Sequence, residues 1–119
     1  MNPAECLDPA ALTRLQNLGG PAFVRQMIDL YLEYAPGRIA AAQAALAAGD
    51  LPALEQAVHP LRSGSGNLGA RAVVELAQRI EHIAHHREPI PLAPLVEELA
   101  IAFSAARASL EIARTTLES

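Results

Sequence analysis

Eight apolar residues near the end of the chain, Leu92, Leu95, Leu99, Phe103, Ala106, Leu110, Ala113 and Leu117, follow one another in steps of three or four. That spacing places them on one stripe of a single α-helix, long enough to lie along other helices as a bundle seam. A strand would need a period of two, so this feature alone commits the last quarter of the chain to helix. The apolar half of the composition agrees. It is dominated by Ala and Leu, with two Tyr, two Phe and no Trp. Ala and Leu are strong helix formers, whereas strands favour β-branched and aromatic residues.

Upstream, Asp8 and Pro9 read as an N-cap and a first-turn proline. A short helix with Leu12 and Leu15 inward should end at "NLGGP". Residues 22–35 carry Phe23, Met27, Leu30, Tyr31 and Tyr34 on a second helical face, which Pro36 and Gly37 should stop. A third helix over residues 38–48 carries Ile39 and Leu46. Gly49 ends it, and Asp50 caps a fourth helix with Pro52 in its first turn. A break near Gly69 leads to a fifth helix over residues 70–86, with Val73, Leu76, Ile80 and Ile83 inward. The connector "REPIPLAP" precedes the final helix, residues 92–117. The 119 residues suit one domain, 1–119. The expected fold is all-α: an antiparallel four-helix bundle with one or two short extra N-terminal helices. The alternative is one half of a helical dimer.

A net charge of −4 and a pI near 5.5 argue against nucleic-acid binding. The single cysteine, Cys6, cannot close an internal disulfide and suits a reduced, cytoplasmic setting. No signal peptide is evident, and no apolar run is long enough to cross a membrane. A monomer without membrane or nucleic-acid partners is expected.

The segment "AVHPLRSGSGNLGA", residues 57–70, interrupts this plain picture. On a helical wheel Leu51, Leu54, Val58, Leu61 and Leu68 share one arc, and His59 falls roughly 130° from its centre. His59 should therefore face solvent. Its helix-surface neighbours are Glu55 and Gln56 on one side, and Arg62, Ser63 and Gly66 on the other, with Gly64 and Ser65 close by. Glu55 reads as a surface charge. Each helical Gly costs about 1 kcal/mol relative to Ala, so Gly64 and Gly66 suggest that another surface approaches the backbone here. Glu55, Gln56, Gly64, Ser65 and Gly66 would form that docking surface. An exposed imidazole is a good nucleophile near neutral pH and can attack phosphorus. Arg62, one turn on, is placed to steady the negative charge of a phosphohistidine. These residues fit a transient phosphoryl carrier that docks on a partner.

The same stretch resembles the signature of histidine-containing phosphotransfer (HPt) domains, close to A-H-x-L-K-G-S-S-x-x-L-G-A. Val58 stands in the Ala place, His59 in that of the phospho-accepting histidine, Leu61 in that of the core leucine, and Arg62 in that of the lysine. Ser63 and Gly64 are swapped relative to the usual pair, while Ser65, Leu68, Gly69 and Ala70 match. The likeness extends to "LD", the Phe23-containing helix, "AGD" and "RIEHIA". It implies a four-helix bundle in which His59 accepts a phosphoryl group and Arg62 stabilises it; the swap, a departure from the pattern, adds the Ser63 hydroxyl one turn from His59 as a further donor to that group. It further implies partners that are response-regulator receiver domains, a sensor histidine kinase, or both. No cofactor is implied in the chain itself, since Mg²⁺ belongs to the receiver; the chain would be a carrier and not an enzyme. Pro60 departs from the pattern and should kink the helix by removing a bond to the carbonyl of Gln56.

"EHIAHH" places His82 and His86 four apart, a spacing that can chelate metal, but a solvated helix end is the simpler reading and no metal site is expected. "GSGNLG" lacks the Lys and preceding strand of a P-loop. Docking calls for an apolar patch, expected on the fourth and fifth helices near His59. The competing functions are a helical module that docks on receivers or kinases without being phosphorylated, and a metal-dependent hydrolase built on the His82 cluster.

Overall fold

The computed structural model describes residues 7–118, so Cys6 lies outside the described residues. Four helices follow in order: α1 (Pro9–Ala48), α2 (Leu51–Asn67), α3 (Arg71–His86) and α4 (Ala93–Glu118). The connectors are short, which makes chain neighbours antiparallel. Each helix packs on its chain neighbours, and α4 closes the ring against α1. The core runs down the middle, with Ile28, Tyr31, Leu54, Leu61, Ile80, Leu99 and Leu110 almost fully enclosed.

The capping residues act as the sequence suggests. Asp8 accepts from the Ala10 amide at 3.1 Å, and Asp50 accepts from the Ala53 amide at 3.1 Å. Gly49 closes α1 in a left-handed conformation, φ 67°. The "NLGGP" stop is a sharp bend: Gly20 has φ 82° and ψ 179°, a region open essentially to Gly alone. Pro21 then starts the longer segment. Forty straight helical residues would span about 60 Å, yet the longest dimension of the molecule is 47 Å. The short N-terminal segment therefore folds back, and the Asp8 amide donates to the Gly69 carbonyl at 2.8 Å. It seats on the α2–α3 turn, where a Cβ at Gly69 would lie 2.7 Å from the Asp8 carbonyl oxygen.

Two expectations are corrected. Pro36 and Gly37 do not stop a helix: α1 runs through both, so residues 22–35 and 38–48 are one element. An interior proline costs about 3 kcal/mol, but Ile28, Tyr31, Ala35, Ile39, Ala42 and Ala45 form an unbroken buried stripe across it. Burying Ile39 alone returns roughly 1.5–3 kcal/mol. The inward face of this segment is also rotated from the one expected. Val24, Ile28, Tyr31 and Ala35 are buried, while Leu30 is exposed and Tyr34 sits at the edge. Pro60 likewise leaves α2 helical on both sides of it.

Candidate functional site

The register of the α2–α3 hairpin, set by a three-residue turn at 68–70, decides which side chains meet. His59 lies outward on α2, its side chain 67% exposed, as the wheel requires. Across the interface Glu81 of α3 holds His59 Nδ1, with Oε2 at 2.9 Å and Oε1 at 3.1 Å. A carboxylate only accepts, so Nδ1 carries the hydrogen, and in the neutral ring Nε2 keeps its lone pair. Nε2 has no hydrogen-bond partner among the described residues. The same Glu81 Oε1 accepts from Arg62 at 3.1 Å, so one carboxylate orients both the imidazole and the guanidinium. Arg62 Nε is buried without a partner, while the side chain as a whole is 40% exposed. His59, Pro60, Arg62, Ser63 and Gln78 line one shallow depression.

Other sequence candidates fall differently. Ser63 and Gln56 are exposed on the His59 face, and Gly66 is open, its would-be Cβ meeting nothing closer than Val74 at 3.9 Å. Ser65 is not part of a docking surface. It is fully buried and shares a 2.6 Å hydrogen bond with the Tyr31 hydroxyl, because at its position α2 faces α1. Gly64 is small for an internal reason. A Cβ there would lie 1.7 Å from the Tyr34 hydroxyl, so the surface that approaches it is the chain's own α1. Glu55 is not a free surface charge, since it holds His85 Nδ1 at 2.7 Å.

The apolar patch expected on the fourth and fifth helices is absent among the described residues. The exposed large apolar side chains are Leu18, Leu30 and Tyr34 on α1, Ile90, and Ile101 and Ile112 on α4. In the His82 cluster, His82 pairs with Glu88 at 2.8 Å and packs on His86, ring centres 4.4 Å apart. No group of three or more His, Cys, Asp or Glu among the described residues is arranged to hold a metal.

Glu81 is the site residue that sequence reasoning missed. Its signal was nonetheless present. Glu55 and His59 are four apart on one helix, Glu81 and His85 four apart on the next, so an antiparallel hairpin brings each acid to the other helix's histidine.

A family model described as the Hpt domain matches residues 26–109 of the chain. Among solved structures, the chain is similar to the crystal structure of histidine-containing phosphotransfer protein B (HptB) from Pseudomonas aeruginosa PAO1. The two are 26% identical with a TM-score of 0.85, over 93% of this chain and 96% of that one. No curated protein sequence matches the chain.

Proposed function

Because the chain belongs to the Hpt domain family and is thus a phosphotransfer protein of phosphorelays, we propose that His59 is its phosphoryl-carrying residue. It accepts the group from a receiver-domain aspartate or a histidine kinase and passes it to a second receiver. The observation that carries this reading is the 2.9 Å contact from Glu81 to His59 Nδ1, which leaves an exposed Nε2 as the nucleophile.

In the receiver-to-His59 direction, the Nε2 lone pair attacks phosphorus. The bond from phosphorus to the acyl oxygen breaks, and the aspartate leaves as a carboxylate with the electron pair. The ring becomes an imidazolium carrying the phosphoryl group on Nε2. Its hydrogen stays on Nδ1, donated to Glu81, whose charge offsets the new cation. Arg62 and the Ser63 hydroxyl face the phosphoryl oxygens. Positioning and charge stabilisation of this kind supply most of the catalysis in phosphoryl transfer. The partner receiver brings Mg²⁺. A closed ring of helices around its own core supports a monomeric carrier.

The test is to incubate the protein with a phosphorylated receiver and follow acid-labile, base-stable label. Wild type should take up label and His59→Gln should take up none. Equal labelling of both would refute the assignment. Tight receiver binding with no label from any donor would favour the unphosphorylated docking module.

A further inference from the structure

The α2–α3 hairpin carries its histidine–carboxylate contact twice. His59 Nδ1 is held by Glu81 at 2.9 Å, and His85 Nδ1 is held by Glu55 at 2.7 Å. The donors and acceptors are exchanged between the helices, so the two pairs are related by the local two-fold of an antiparallel helix pair. His85 matches His59 in what makes an imidazole reactive. Its side chain is 62% exposed, and the acceptor on Nδ1 fixes the tautomer that leaves the Nε2 lone pair free. His82 is the built-in contrast, because its Nε2 is the nitrogen taken by Glu88. His86 makes ring contacts to both neighbours and has no carboxylate partner among the described residues. His85 lies in an open cleft of mixed charge, lined by Arg62, Arg79, His82 and His86 and by the carboxylates of Glu55, Glu81 and Glu88.

We propose that His85 is a second phosphoryl-accepting residue, reacting at Nε2 with small phosphoramidates, through the same carboxylate-held geometry as His59. In the step, the Nε2 lone pair attacks phosphorus. The P–N bond of zwitterionic phosphoramidate breaks, and ammonia departs with the electron pair and the three hydrogens it already bears. The imidazolium so formed keeps its Nδ1 hydrogen against Glu55. The cleft gives access to a donor of this size without a docked protein.

The experiment treats four proteins with phosphoramidate: wild type, His59→Gln, His59→Gln/His85→Gln and His59→Gln/Glu55→Ala. Intact mass and fragmentation locate the label, ¹H–¹⁵N correlation spectra identify the ring nitrogen, and circular dichroism checks folding. His59→Gln should gain one phosphoryl group at His85 Nε2, about tenfold faster than at His82 or His86. The Glu55→Ala change should erase that preference, and His85→Gln should erase the fast label. The proposal fails if His59→Gln stays unlabelled, if the group sits on Nδ1, or if the three histidines of α3 label equally. Label on His85 but not on His59 in the wild type would instead count against the function proposed for His59.

Discussion

Glu81 is 17% exposed and serves two partners at once, so its removal should act on chemistry more than on folding. Glu81→Ala frees the His59 ring to rotate and change tautomer. Phosphoryl uptake should slow about tenfold, equal to ~1.4 kcal/mol of barrier. Glu81→Gln still accepts from Nδ1 through its amide oxygen and should lose less. Rates measured with one saturating donor check both. The buried Tyr31–Ser65 pair makes the opposite kind of claim. Ser65→Ala or Tyr31→Phe alone strands one hydroxyl and should cost about 1–3 kcal/mol, while the double variant should cost far less than the sum. Urea denaturation of the three variants closes the cycle. Single residues were unevenly legible in the sequence. The exposure of His59 follows from wheel geometry alone. Ser65 and Gly64 were misassigned because a wheel gives the angle of a residue and not the identity of the helix opposite it. Tyr31 and Tyr34 lie thirty or more residues upstream, and only packing brings them there.

The helices hold surprises where backbone chemistry and packing compete. Gly20 has open space around it, so a side chain there would meet no atoms; the obstacle is its backbone conformation. Gly20→Ala should therefore destabilise the protein by about 1–3 kcal/mol with little change in helicity, as thermal and urea unfolding will report. The stop at "NLGGP", both Asp caps, the Gly49 cap and the α4 seam were all readable, because each is a local rule satisfied by neighbouring residues. Continuity through Pro36 was not. Local rules count the lost hydrogen bond, and the compensation comes from Ile39, Ala42 and Ala45 packing beyond it. Large side chains also drew attention from the true inward face of α1, which uses Ala35, Ala42 and Ala45 where neighbouring helices approach.

At the level of the whole molecule, two groups tie stability to pH at opposite ends. Burial pushes the Tyr31 hydroxyl up to about 12 from 10.0, against a smaller opposing effect of Ser65. The folded state thus holds this proton more tightly than the unfolded chain. The contribution is complete below pH 10 and declines as pH rises toward 12, by roughly 1 kcal/mol per unit. Burial also raises Tyr34, in the same direction. The hydrogen bond from Arg114 holds the Asp29 carboxyl below its ordinary range, so that link between α4 and α1 helps above the unfolded value and fades in acid. Urea midpoints across pH should fall on both sides, and Tyr31→Phe should flatten the alkaline side. All-α character could be read from composition, whereas the closure of α4 on α1 depends on contacts remote in sequence. Along the diagonals the backbones stay apart: among the described residues α1 does not approach α3 closely, nor α2 approach α4. Every paired side chain at the proposed reaction centres belongs to the α2–α3 hairpin. The outer flank of α4 is consequently insulated from that chemistry, and a lineage is free to redraw that flank for new associations while the transfer apparatus stays as it is.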